Sequence, residues 1–279
     1  MHSVVLKNDA VGDLVHSLNA INNIISSNKN EKVTIFLSQL SRKYSFLVQN
    51  PKVQIKILKH KLNLIEKIKL ISFLFNNHIE NVYILAPKNF YFFLQKIFRK
   101  IKFFGLCING PNNYKRPNQY LRKYLYKSVI NDRAAIFKRD STIYIQNKLT
   151  SDNNKNLNNF KFKTSIQISD ILKKYLPKEY VYFHVKKNIV DKLGWGINEL
   201  KYLFVELLKH YEHVIFTKDI EKDSNSDIFN KEFSMLDFSS KKFTKKDNNI
   251  IFFNNIEGED LYNTIKYSSK ILAFHGMMT

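Results

Sequence analysis

Residues 4–15, Val4-Val5-Leu6-Lys7-Asn8-Asp9-Ala10-Val11-Gly12-Asp13-Leu14-Val15, pass from an apolar run through a short polar loop into a helical pattern. Ser3–Leu6 reads as a strand. Beyond the loop, Leu14, Leu18, Ile21 and Ile25 recur at steps of four, three and four, which puts them on one face of a helix starting near Gly12. A glycine there allows close backbone approach, and the new helix offers free N–H groups to an anion. Asp13 stands in the first turn, beyond the C-terminal end of a strand, where ligands bind in open α/β sheets. The same placement has a purely local reason, since the helix dipole favours an acidic first turn. Spacing alone leaves both readings open.

Working outward, the alternation continues. Lys32–Leu37 and Val53–Leu58 read as the second and third strands, 63–76 as a helix, and Asn81–Ala86 as a fourth strand ended by Pro87. Residues 88–100 read as another helix and Lys102–Ile108 as a fifth strand. Strand–helix alternation with crossovers of this length predicts a parallel sheet with helices on both faces. Residues 109–118 break the pattern with Gly, Pro and Asn, 119–131 read as a basic helical stretch, and the Asn-rich 151–160 reads as a linker. The rhythm then restarts: strand 180–184, helix 198–211, strand 213–217, strand 250–254, helix 260–268 and strand 270–274. The expected fold is α/β, with two Rossmann-like domains facing across a cleft. The expected boundaries are 1–118 for the first domain, 119–176 for a basic helical connection and linker, and 177–279 for the second. The last strand has no covering helix after it before Thr279, so the second domain is expected to be incomplete.

Composition narrows the class. With 44% hydrophobic and 25% charged residues the 279-residue chain is globular rather than disordered. Lys and Arg number 45 against 24 Asp and Glu, a formal net charge of +21, which favours anionic partners. Only six of the basic residues are Arg, and Asn and Ile are abundant, so compositional drift is an equal explanation of the charge. A nucleic-acid-binding protein is the rival that the charge suggests. The sequence has neither zinc-finger spacing nor an aromatic RNA-binding signature, so no specific nucleic-acid partner is expected. Cys107, the lone cysteine, sits in an apolar run and reads as a small buried hydrophobe. The apolar start of the chain is interrupted at once by Lys7 and Asp9, unlike a signal peptide, and no run approaches the 18 apolar residues of a membrane span. A cytoplasmic location is expected, with at most a peripheral contact at the inner membrane. Residues 89–104 combine Phe90, Leu94 and Ile97 with Lys96, Arg99 and Lys100. They fit the pattern of a helix lying on an anionic membrane, but better a covering helix of the sheet, which the strand–helix alternation already demands. Residues 115–127, with Arg116, Arg122 and Lys123, are candidates for a phosphorylated glycan acceptor. Asp219, Asp223 and Asp227 repeat every four residues in a polar segment and read as a solvated face.

The segment 6–18 (LKNDAVGDLVHSL) resembles the N-terminal signature of the bacterial heptosyltransferases, glycosyltransferase family 9. The downstream order agrees: a strand ending in His184, then Lys192 and Trp195, then a long helix, and later the acidic loop, helix and strand of 257–274. The resemblance implies a two-domain GT-B fold and metal-independent, inverting transfer of a heptose-like sugar from a nucleotide-sugar, ADP-linked by preference, to a lipopolysaccharide core or similar anionic glycolipid. The implied catalytic base is Asp13, in a loop shaped by Gly12 and Asn8. The implied donor-side residues are His184, Lys186, Lys187, Lys192, His275, Gly276 and Met277. The family's Asp-Thr-Gly-x-x-His signature falls on 274–279, where only Gly276 agrees, Phe274 standing at the acidic position and Thr279 at the distal histidine. That departure leaves a catalytically degenerate chain of the same fold as the alternative.

Overall fold

The computed structural model describes residues 2–27, 32–109, 120–132, 142–150, 166–218, 229, 231–246 and 249–273. The chain divides into two compact units, Met1–Thr164 and Ser165–Thr279.

The first unit is built on a six-stranded, all-parallel sheet. Its strands are β1 (His2–Lys7), β2 (Lys32–Ser38), β3 (Val53–Leu58), β4 (Asn81–Ile84), β5 (Lys102–Asn109) and β6 (Lys127–Asp132), in the order β3-β2-β1-β4-β5-β6. The order reverses between β1 and β4, the switch point at which doubly wound sheets bind ligands. Because helices cover both faces, β1 is buried along its whole length and alternates between two cores. Val4 and Leu6 face a cluster with helices α2 (Leu64–Asn76) and α3 (Asn89–Ile97), which contribute Leu70, Leu74, Phe92 and Leu94. Val5 faces the opposite cluster with α1 (Val11–Ser27) and α4 (Thr142–Thr150), through Leu14, Leu18, Ile21, Ile145 and Leu149.

Several elements begin and end for local reasons. Asn63 caps α2, its Oδ1 accepting the Glu66 N–H at 2.9 Å. Ser38 closes β2 and caps the 3-10 helix Gln39–Val48, its Oγ accepting the Ser41 N–H at 3.2 Å. In β5, Gly105 is required by packing: a Cβ there would lie 2.5 Å from Leu125 Cδ1 and 3.2 Å from Phe92 Cε1. Gly105→Ala should therefore destabilise the chain by about 1–2 kcal/mol, because the Leu125 side chain must turn aside. A lowered denaturant midpoint at unchanged slope is the expected signature.

Of the stretch 119–131, the described residues 120–131 do not form the expected helix. A short 3-10 helix, Leu121–Tyr124, leads into β6, which extends the first sheet beside β5. Sheet pairing overrides the weak helical pattern there, and Arg122 and Lys123 are exposed on the 3-10 turn. Asp170–Tyr175 is a short helix, α5, capped by Ser169 and lying within the second unit.

The second unit carries another six-stranded sheet. Its strands are β7 (Val181–Val185), β8 (Val214–Lys218), β9 (Ser234–Asp237), β10 (Lys242–Thr244), β11 (Ile250–Asn254) and β12 (Lys270–Ala273), in the order β10-β9-β11-β8-β7-β12. All pairs are parallel except β9–β10. β7 and β12 flank the point where the order reverses. Val181, Phe183 and Val185 face a core with Leu200 and Phe204 of α7 (Ile197–Leu208). Tyr180, just before β7, donates its hydroxyl to the Thr264 carbonyl of α8 (Gly258–Lys266) at 2.6 Å. Cys107, in the first sheet, is buried, and burial pushes its thiol up to about 11, so it behaves as an inert apolar side chain.

Candidate functional site

At the β1/β4 switch point the strand ends in charge rather than in another apolar residue. Lys7 is buried, and its Nζ donates to Asp9 Oδ2 at 2.7 Å and to the Leu85 carbonyl at 3.4 Å. Asp9 is largely buried as well, and its second oxygen, Oδ1, is enclosed without a hydrogen-bond partner among the described residues. Burial holds the Asp9 carboxyl above the usual carboxylate range. The Lys7 ammonium pulls the other way, and the nearby Asp13 charge adds to the rise.

The loop around this pair is tied down on every side. The Asp9 carbonyl accepts the hydroxyls of Ser38 at 2.5 Å and Ser41 at 3.1 Å. Asn8 is fully buried; its amide donates to the Lys59 carbonyl at 3.0 Å, and its Oδ1 accepts the Tyr91 hydroxyl at 2.5 Å. Burial first, and then the charges of Asp9 and Glu66, hold the Tyr91 phenol in its protonated, donating form. Lys88, which precedes α3, donates to the Asn8 carbonyl at 2.7 Å and to the His60 carbonyl. Burial pulls the Lys88 ammonium below its ordinary range, opposed by the Asp9 charge. The loop thus has a fixed shape, and it delivers the chain into α1.

Gly12 and Asp13 fall in the first turn of α1. The Asp13 carboxylate is exposed, while its main-chain carbonyl accepts the Ser17 hydroxyl at 2.8 Å. Of the residues singled out in the sequence, Asn8, Gly12 and Asp13 are therefore brought together on one rigid loop and helix start. Asn8 supports the loop from inside. Lys7, Asp9, Lys88 and Tyr91 were not anticipated as part of this site. A signal for the first two was present: a lysine ending an otherwise apolar strand, with an aspartate two residues on, is a pair that burial would force together.

On the second sheet, His184 lies at the end of β7, next to Ala273 of β12 in register. Its Nδ1 and the Thr217 Oγ1 are 2.9 Å apart, and the Tyr182 hydroxyl is 2.6 Å from the same oxygen. Lys186 immediately precedes the short helix α6 (Lys187–Leu193), without a side-chain capping bond. Lys192 lies in the last turn of this helix, exposed, about 9 Å along the axis from Lys186. The helix ends at Gly194, whose φ of 64° is left-handed backbone that favours glycine. Trp195 then packs against the α7 core, and the Gly196 N–H donates to Glu199 Oε2 at 2.7 Å to start the next helix. Hydrogen bonds from its own and the Gly196 N–H hold the Glu199 carboxyl below its usual range.

His275, Gly276 and Met277 lie outside the described residues, as do Lys115, Arg116, the Asn-rich 151–160, the Asp219–Asp227 repeat and the side chain of Lys187. Among the described residues, no group of three His, Cys, Asp or Glu is placed to hold a metal ion. No described helix is long and apolar enough to cross a membrane.

No protein-family model and no curated protein matches the sequence. Solved structures do match. E. coli ADP-heptose lipopolysaccharide heptosyltransferase II superposes at a TM-score of 0.63 and 13% identity, covering 100% of this chain and 80% of that one. A glycosyl transferase family 9 protein from Veillonella parvula DSM 2008 gives 0.59 at 10% identity, with 99% and 75% covered. E. coli heptosyltransferase WaaC, solved with ADP, gives 0.56 at 10% identity, with 98% and 81% covered. The chain therefore has the two-domain α/β fold of these glycosyltransferases, with a parallel sheet in each domain as the strand alternation predicted.

Proposed function

We propose that the chain is an inverting glycosyltransferase that moves a sugar, heptose-like in size, from a nucleotide-sugar to an anionic glycolipid such as a lipopolysaccharide core. The reading rests above all on Gly12-Asp13, which opens α1 at the switch point of the first sheet, in a fold similar along its whole length to that of heptosyltransferases. An acceptor hydroxyl attacks the anomeric carbon and the bond to the diphosphate breaks. The proton passes to the Asp13 carboxylate, and the electron pair leaves with the nucleoside diphosphate. An exposed aspartate on a rigid helix start suits a general base, which must be both ionised and within reach of the hydroxyl.

In this reading Gly12 and Asn8 shape the acceptor-side loop, while His184, Lys186, Lys187 and Lys192 meet the charge of the departing diphosphate. His275, Gly276 and Met277 would join them on the donor side. In this reading no metal is required, because cations and N–H groups can stabilise the leaving group. The location that suits such an acceptor is the cytoplasmic surface of the inner membrane.

The test is thermal stability in the presence of ADP-, UDP-, GDP- and CMP-linked sugars. Ligand at a hundredfold excess over its Kd should stabilise by about 2.7 kcal/mol, a rise of several degrees, with the ADP-sugar foremost. No rise with any nucleotide-sugar would identify a chain that keeps the transferase fold without donor binding.

A further inference from the structure

Helices α2 and α3 cover one face of the first sheet, yet their outer surface is not polar. Two contacts show that they run side by side in the same direction: the Lys67 ammonium lies 5.4 Å from the Phe90 ring centroid, and the Phe75 and Phe98 rings are 5.0 Å apart. On α2, Leu64, Ile68, Ile71 and Phe75 repeat at steps of four, three and four. On α3, Phe90, Phe93 and Ile97 repeat at three and four. Each stripe therefore includes or adjoins a contact to the other helix, and the two border one seam. Much of this seam is bare: Leu64 is 71% exposed, Phe75 69% and Ile65 62%, with Ile68, Phe93 and Ile97 also exposed. A run of large apolar side chains of this kind, rimmed by polar groups, marks an interaction surface.

The rim decides the partner. Lys96, beside the Phe93 ring, and Arg99 and Lys100, just beyond α3, are exposed, as is Lys69 on α2, one turn from Ile65. The single acidic residue of the two helices, Glu66, is turned inward, its Oε1 accepting the Lys59 N–H at 2.7 Å. A second copy of the chain would oppose these cations with the same cations, which disfavours self-association through this face. We propose that the α2–α3 seam docks on an anionic lipid surface, with Leu64, Ile65, Ile68 and Phe75 entering the headgroup–acyl boundary and the surrounding lysines and Arg99 meeting lipid phosphates. Interfacial apolar area and electrostatic attraction then add, which is how peripheral helices bind anionic bilayers. The sequence pattern raised membrane contact only for residues 89–104. In the structure α3 serves chiefly as a covering helix, burying Tyr91, Phe92 and Leu94, and α2 supplies most of the bare apolar surface.

This inference needs neither donor nor acceptor, so it stands or falls apart from the transferase reading. The test is cosedimentation with phosphatidylglycerol-containing vesicles and with pure phosphatidylcholine vesicles. The wild-type chain should bind the former about tenfold or more tightly. Leu64→Ser/Ile65→Ser/Ile68→Ser should lower that binding about tenfold, with only a small fall in melting temperature because these side chains are mostly exposed. Lys69→Glu/Lys96→Glu should erase the preference for the anionic vesicles while leaving the apolar seam in place. The proposal is overturned if wild type ignores phosphatidylglycerol vesicles, or if the serine variant binds them as well as wild type. It is equally overturned if wild type is a dimer that the serine variant dissolves. A nucleotide-sugar thermal shift retained in the serine variant separates lost docking from lost donor binding.

Discussion

Asp13→Asn is expected to lower the sugar-transfer rate by about 10²–10⁴-fold, the range for removing a positioned general base. The amide is nearly the same size and keeps the first turn of α1, so folding should be unaffected. Asp13 is exposed and makes no described ion pair with the Lys7–Asp9–Lys88 cluster. The loss should fall on kcat, because asparagine can still contact the acceptor but cannot take its proton. Single-turnover transfer from an ADP-sugar to a purified core glycolipid gives the rate directly. An unchanged rate would sink the assignment. The nearest alternative carboxylate, Asp9, would then need to leave its 2.7 Å bond to Lys7 to act.

Lys7→Met should have the largest effect on stability. Methionine fills the space of the buried stem, but it leaves the Asp9 carboxylate without its counter-charge. Stranding one member of a buried ion pair costs about 3–5 kcal/mol. The low end, roughly 3 kcal/mol at neutral pH, is expected because the Asp9 side chain retains 16% exposure. The pH dependence has a definite sign. A carboxyl whose folded pKa lies above its unfolded value disfavours folding as pH rises through that interval, and relief comes as it takes up a proton. Burial already places Asp9 in this class, and loss of Lys7 would move it further up. The gap between variant and wild type should therefore narrow as pH falls. Lys7→Met/Asp9→Asn should recover most of the loss at neutral pH, since both charges are then gone. Denaturant unfolding across pH reads both; a gap that stays constant on acidification would mean that Lys7 stabilises by packing alone.

These two residues also show where sequence reading fell short. The interior strands were legible because each is an apolar run covered on both faces, as in KVTIFL of β2 and HVIFT leading through β8. β6 was not, because an edge strand reading Lys-Ser-Val-Ile-Asn-Asp buries little and shows no alternation within a basic stretch. The 3-10 helix Gln39–Val48 has no 3.6-residue period to find, and α6 is too short to display one before Gly194 ends it. Asp13 was legible through its place after a strand and glycine. Lys7 and Asp9 were read only as charges interrupting an apolar run. Their pairing depends on the Leu85 carbonyl and the Ser38–Ser41 turn, distant in sequence and joined only by the fold.

Trp195 is the only tryptophan of the chain, and it packs against the α7 core of the second unit. Indole fluorescence is thus a native optical reporter of one domain, while the first contributes only tyrosine emission. A perturbation confined to the β1 end, such as the loss of Lys7, leaves the indole in its own surroundings yet registers in backbone circular dichroism. Comparing the two signals during unfolding therefore resolves whether the domains melt together or in turn, without any added label.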